Sequence, residues 1–240
     1  MTDDSRKKHG TDVSTGYRVL DKFIGGFSGG QLVVIASRPS EGKSALAASL
    51  AESMAFGESQ VPIGFIPLET GESALKERMI SCEAIIRDSP ALSLHELGLE
   101  IREMAEAGGV KAVFIDGVGL IGNAEHSMSK SLWFAEVFRR LKLLARELGI
   151  TIICSCHLNI IDSTNRCPHI GDIEYSDMIM NYTDIVLLID NPAMRFAAEE
   201  VDPSMSDIRK VIVAKNNEGR TGGFLMRLNS ETGRFEEVGA

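Results

Sequence analysis

Eight consecutive residues, Ser37-Arg38-Pro39-Ser40-Glu41-Gly42-Lys43-Ser44, have the makings of a phosphate-gripping loop. They lie between an apolar run, QLVVIAS, and an Ala-rich segment at 44–56. A strand before and a helix after is the context such a loop requires. Backbone N–H groups at a helix start face an anion, and the helix dipole favours negative charge there. Lys43 is placed to reach the β- and γ-phosphates of a nucleotide, with ATP the expected one, and the Ser44 hydroxyl to ligate Mg²⁺. Ser37 stands where Gly or Ala is usual, a mild departure. Asp116 closes a second apolar run, KAVFID, where a carboxylate could hold Mg²⁺ through water. Glu69 closes a third, IGFIPLE. It could polarise the water attacking a γ-phosphate, or simply begin the next helix, where Glu is favoured.

These groups act together only if their strand ends meet. Runs at Gln31–Ser37, Ile63–Glu69, Lys111–Asp116, Thr151–Cys156 and Asp184–Asp190 are almost continuously apolar and rich in β-branched residues. That pattern predicts strands buried on both faces, hence a parallel sheet covered by helices. Helices are predicted at Ser44–Phe56, Glu72–Arg87, Leu94–Ala107 and Lys130–Leu148. The second puts Leu75, Met79, Cys82 and Ile86 on one face, the third opens with the capping-box pair Ser93 and Glu96, and Gly149 is placed to end the fourth. Asp207–Asn216 and Gly223–Asn229 predict two strands joined by a turn. The expected fold class is α/β, a doubly wound, mostly parallel sheet with helices on both faces and antiparallel C-terminal edge strands. In such a sheet the ends at 37, 69 and 116 share one edge. Residues 1–12 are expected to be a disordered tail and 13–240 a single domain.

The 240 residues include 25 basic and 34 acidic side chains, a net charge of −9. That balance is a poor footprint for nucleic acid, although it leaves room for a local basic groove. Four cysteines are too few and too unevenly spaced for a disulfide framework. The first ten residues hold no apolar core for a signal peptide, and no apolar run is long enough to cross a bilayer. A cytoplasmic protein with no membrane association is expected.

In this order, the motifs resemble the ATPase domain of DnaB-type replicative helicases, within the RecA-like superfamily. Val13-Ser14-Thr15-Gly16-Tyr17, Leu20-Asp21 and Gly25-Gly26 look like that family's lead-in to its first core strand. Arg38-Pro39-Ser40 favours it over the KaiC and RadA branches. The similarity runs through Leu68-Glu69, the Asp116 strand, Gly171-Asp172-Ile173, Thr183–Val186, Ala214-Lys215 and Thr221-Gly222 to Arg234-Phe235-Glu236. The resemblance implies Lys43 and Ser44 on phosphate and Mg²⁺, Asp116 on Mg²⁺, and Glu69 as catalytic base. It puts His157 where the family carries a γ-phosphate-sensing Gln or His. It also implies that a neighbouring subunit supplies Lys215.

The departures are as informative. The family's finger Arg, two residues past that Lys, is Asn217 here, which makes Arg220 the candidate to reach instead. Glu174 replaces the Arg of an Asp-Leu-Arg motif. The loops expected to line a DNA channel hold few cations, Lys130 alone in 122–131 and Arg166 alone in 158–168. The stretch between Glu69 and Asp116 is a few tens of residues shorter than the family norm, and the family's N-terminal domain is expected to be absent. Two smaller patterns compete. Cys154, Cys156, His157, Cys167 and His169 could be drawn as a zinc site, and Ser155, His157 and Asp172 as a hydrolase triad; core cysteines and chance spacing explain them better. The face of the 130–148 helix near Trp133 and Phe134 suits core or subunit interface rather than a base-stacking platform.

The expectation is an ATP- and Mg²⁺-dependent motor domain acting on single-stranded DNA, as a homo-oligomeric hexamer among replication proteins. The alternative is a helicase-like regulatory or partner-binding ATPase that unwinds nothing.

Overall fold

Alternate residues of a strand point to opposite faces, so a run apolar at every position must be covered twice. The computed structural model describes residues 12–57, 59–79, 84–88, 92–122, 128–159, 166–195 and 205–238, and within them it shows that arrangement. Strands β1 (Leu32–Ser37), β2 (Ile63–Pro67), β3 (Ile85–Ile86), β4 (Ala112–Asp116), β5 (Thr151–His157) and β6 (Ile185–Asp190) run parallel. Strands β7 (Ile208–Asn216), β8 (Gly222–Leu228) and β9 (Phe235–Glu237) continue the sheet antiparallel, in the order β3-β2-β4-β5-β1-β6-β7-β8-β9. Helices α1 (Arg18–Ile24), α2 (Lys43–Phe56), α3 (Gly71–Arg78), α4 (Leu94–Glu106), α5 (Lys130–Leu148) and α6 (Ser176–Ile179) complete it.

The two faces have separate cores. Val34, Ala36, Val113, Ile115, Ile152, Cys154 and Cys156 pack under Leu97, Ile101 and Met104 of α4 and Val137, Phe138 and Leu141 of α5. Val33, Ile35, Phe65, Phe114, Ile153 and Leu187 pack under Leu46, Leu50 and Met54 of α2 and Leu75 of α3. Helix α4 starts with the expected capping box between Ser93 and Glu96, and Gly149 ends α5 in a left-handed conformation.

The expected helix Glu72–Arg87 is corrected. Helix α3 stops at Arg78, and Ile85–Ile86 instead pair in parallel with Gly64–Phe65 as an edge strand. The Arg87 N–H donates to the Phe65 carbonyl at 3.0 Å. Two β-branched residues offered to an unpaired strand edge gain more from ladder bonds than from one further helical turn. Cys82, placed on that helix face, lies outside the described residues, as does all of the expected tail except Asp12. Strand β9 was not foreseen. It packs Phe235 against α2, and the Tyr17 hydroxyl donates to the Phe235 carbonyl at 2.9 Å; burial pushes that phenol up to about 12.

Phe65 and Phe114 stack at the centre of the α2 face, their ring centroids 5.6 Å apart and both rings fully buried. Phe114→Ala should cost about 3–5 kcal/mol through lost burial and a residual cavity, measured by urea denaturation with an unchanged m-value.

Candidate phosphate-binding site

The loop between β1 and α2 turns back on itself through Ser40 and Gly42, at φ 63° and 110°. Glycine adopts such a φ without steric cost. Space demands it as well, since a Cβ at Gly42 would lie 3.1 Å from the Phe235 ring and 3.3 Å from Leu228. The turn directs the start of α2 at the C-terminal edge of the sheet, so Lys43 and Ser44 are the helix's first residues.

Register and strand alternation then bring in the rest. Phe114 belongs to the α2 face, so Asp116, two residues on, projects from that face too; Ile153 sets the same face for Ser155 and His157. Asp116 is buried and held by hydroxyls from three elements. Its Oδ1 accepts from Ser44 Oγ at 2.9 Å and from Ser155 Oγ at 2.7 Å, and its Oδ2 from Thr70 Oγ1 at 3.1 Å. The Ser155 hydroxyl in turn accepts from the Gly117 N–H at 2.7 Å. Ser44 Oγ and Asp116 Oδ1 are the hard, adjacent oxygen pair that Mg²⁺ takes beside phosphate and water, so the residues present fit that ion.

Glu69 lies in the turn after β2, its N–H bonded to the Asp116 carbonyl at 3.0 Å. Its carboxylate bridges two cation-capable groups, with Oε2 2.7 Å from Lys43 Nζ and Oε1 3.4 Å from His157 Nε2. Gly117, at φ 94°, is what lets it in, because a Cβ there would sit 2.8 Å from the Glu69 Cβ. Glu69 therefore belongs to the cluster and does not begin α3, which starts at Gly71. Trp133 and Phe134 line a cavity of 420 Å³ that opens onto Glu69 and His157.

The remaining loop residues are held from behind. Glu41 is buried; its carboxylate accepts from the Arg38 N–H at 3.1 Å and lies 3.5 Å from the Arg38 guanidinium, and burial pushes its pKa up. Pro39 and Ser40 are exposed at the crest.

Lys215 and Arg220 do not join the cluster. Because β7 runs antiparallel to β6, Lys215 pairs with Val186 near the start of β6, at the edge of the sheet remote from the cradle. Its ammonium donates to the Met180 and Thr183 carbonyls at 2.7 and 2.5 Å, and burial lowers its pKa. Asn217 donates to Asp184 at 3.2 Å, and Arg220 is exposed. Arg166, expected in a DNA-lining loop, is committed to Asp172 through two bonds of 2.6 and 2.8 Å, which hold the Asp172 carboxyl below its usual range. Most of the 122–131 and 158–168 loops lies outside the described residues.

The competing patterns dissolve on contact. Cys154 and Cys156 sit in the core, His157 faces Glu69, Cys167 donates to Asp190 and His169 donates its N–H to Asp172. Among the described residues no group of three or more His, Cys, Asp or Glu could hold a metal. Ser155 is bonded to Asp116 and has no part in a triad. Sequence reading missed Thr70, Ser155 and Phe235 as site residues. The one available signal was Ser155, a hydroxyl between two cysteines in the buried part of TIICSCH.

Comparison with known proteins adds the family context. A family model described as the DnaB-like helicase C-terminal domain matches residues 12–87 and 81–237. The chain is similar to a probable plasmid replicative DNA helicase of Chlamydia psittaci, with 29% identity covering 97% of this chain and 58% of that protein. It is also similar to the replicative DNA helicase DnaB of Leifsonia xyli subsp. xyli, with 28% identity covering 98% and 58%. The chain thus spans 58% of the length of these curated relatives. Among solved structures, one described as an ATPase domain superposes with a TM-score of 0.84 at 23% identity, over 95% of this chain and 92% of its own. A DnaB-like replicative helicase, described together with its interactions with primase, gives 0.83 at 22%, over 95% and 62%. Both share the RecA-like fold described above, with its mostly parallel sheet and antiparallel C-terminal edge.

Ser155→Ala removes one of the three hydroxyls on Asp116 and orphans the buried Gly117 N–H. Stability should fall by about 1–3 kcal/mol in chemical denaturation, and Mg²⁺-dependent binding of a fluorescent nucleotide should weaken; unchanged values for both would contradict the geometry.

Proposed function

Because the chain belongs to the DnaB-like helicase C-terminal domain family, we propose that residues 13–240 form an ATPase domain that binds ATP with Mg²⁺, hydrolyses it, and acts on single-stranded DNA within a hexameric ring. The observation that carries the reading is the convergence of Lys43, Ser44, Asp116, Glu69 and His157 beside one backbone cradle. In this reading Arg38–Ser44 wrap the phosphates and Lys43 reaches the γ-phosphate. Ser44 and Asp116 hold Mg²⁺, which when bound supplies charge neutralisation between the phosphate oxygens. An arriving phosphate competes with Glu69 for the Lys43 ammonium. Glu69, released from that ion pair, accepts the proton of the attacking water, and His157, its other neighbour, senses the γ-phosphate.

Lys215 and Arg220 lie at the edge remote from this chain's own cradle, which supports their delivery to the cradle of a neighbouring copy. A cytoplasmic setting and contacts with other replication proteins complete the proposal. Among the described residues no helix is long and apolar enough to cross a membrane.

A second reading, a nucleotide-binding regulatory partner without unwinding activity, draws on three particulars. Asn217 is tied to Asp184, the Lys215 ammonium is occupied by two carbonyls, and Arg166 is neutralised by Asp172.

ATP turnover measured with and without single-stranded DNA separates the readings. Under the motor reading DNA stimulates turnover, and Lys43→Ala and Glu69→Gln each lower kcat by about 10²-fold or more. Nucleotide binding with no turnover in the unaltered protein would sink the motor and leave the regulator.

A further inference from the structure

Arg38 sits within the phosphate loop, and its guanidinium reaches the chain that follows β5. One nitrogen, Nη2, donates to the Arg166 carbonyl at 3.0 Å. The other, Nη1, lies 3.5 Å from Glu41 and 3.7 Å from Asp190 Oδ1. Asp190 closes β6 and is fully buried, and its second oxygen accepts from the Cys167 thiol at 3.6 Å. Two paths therefore lead from Arg38 to consecutive residues of one segment: directly to the Arg166 carbonyl, and through Asp190 to Cys167.

That segment is a unit. Arg166 grips Asp172 with two nitrogens, the His169 N–H donates to the same carboxylate at 3.0 Å, and the Asn159 N–H donates to the Asp172 carbonyl at 2.7 Å. Leu158 bridges Ile173, which seats the unit against the end of β5, one residue past His157. A displacement at Arg166 is therefore shared by residues 166–173 as a block.

We infer that Arg38 is a positioning residue that clamps residues 166–173 to the phosphate loop, so that phosphate binding and the placement of this segment are linked. The inference deepens the proposed nucleotide site and rests on it for the identity of the anion. A phosphate that fixes the loop backbone also fixes the base of Arg38, and the clamp tightens. By reciprocity, anything that pulls the 166–173 block away from β6 weakens phosphate binding by the same factor. The planar fork of Arg, with nitrogens set apart, suits a group that must reach a carbonyl on one side and two carboxylates on the other; the compact ammonium of Lys suits it less well.

Cys167 reports on the clamp, because it is half-buried with its thiol on Asp190, and a segment that swings away from β6 exposes it further. The rate of iodoacetamide labelling at Cys167, resolved by peptide mass spectrometry, is compared between the unaltered protein, Arg38→Met and Arg38→Lys. The comparison is made without nucleotide and with saturating non-hydrolysable ATP analogue and Mg²⁺, saturation being set for each protein by direct titration. Without nucleotide, Arg38→Met should label at least about threefold faster, with Arg38→Lys intermediate. Bound analogue should slow labelling of the unaltered protein and leave Arg38→Met unchanged. Equal rates for all three proteins without nucleotide overturn the clamp. A nucleotide effect of the same size in Arg38→Met, or none in the unaltered protein with analogue demonstrably bound, overturns the linkage. Failure of the unaltered protein to bind the analogue would instead remove the nucleotide reading, and the linkage with it, while the first comparison still decides the clamp.

Discussion

Asp116 is a carboxylate sealed in the sheet edge and satisfied by hydroxyls alone, and the geometry of the site follows from that choice. An ion pair at this position would have neutralised it. Instead Ser44 from α2, Ser155 from β5 and Thr70 from the turn after β2 each donate one hydrogen bond to it. A buried charge without a counter-ion is costly unless every lone pair finds a donor or a cation arrives. The three hydroxyls supply those donors. The same three bonds fix α2, β5 and the Glu69 turn relative to one another, so that Lys43, His157 and Glu69 meet within hydrogen-bonding range.

Around that carboxylate, charge is distributed with economy. Lys43 and Glu69 neutralise one another and Arg166 is absorbed by Asp172, while at the opposite edge of the sheet Lys142 is absorbed by Asp184. The net acidity of the chain is thus accompanied by cations already engaged inside it. Any long-range attraction to a polyanion has to come from elsewhere on the surface or from release of these pairs, which makes such binding conditional on the state of the site.

Much of this was legible in the sequence, for identifiable reasons. A phosphate loop is local: the strand before it, the glycine and the helix after it are contiguous, so Ser37–Ser44 could be read directly. Asp116 and Glu69 were readable because buried parallel strands end on a common edge, which turns separated carboxylates into neighbours. Other features depend on contacts between distant segments and leave no periodic trace. The helical spacing of residues 72–87 was real as far as Met79, but the free edge of β2 captured Ile85 and Ile86. Strand β9 is three residues long, too short for a pattern, and matters only because Phe235 meets Gly42. Ser155 could be drawn from sequence only as part of a chance triad with His157 and Asp172, and it is the register of β4 on β5 that sets it against Asp116. Arg166 was visible only as the one cation of residues 158–168, because nothing in a spacing of six residues announces Asp172 as its partner.

Strand β9 and the segment before α1 meet over the back of α2. Tyr17 bonds the Phe235 carbonyl, the Val19 N–H bonds Glu237 at 2.6 Å, and Phe235 presses on the glycine of the cradle. The first and last described elements are thereby joined beside the glycine turn of the phosphate loop. Mechanically, this couples the cradle to the sheet's last strands: a shift of β9 or of the end of β8 meets Gly42 through the Phe235 and Leu228 side chains.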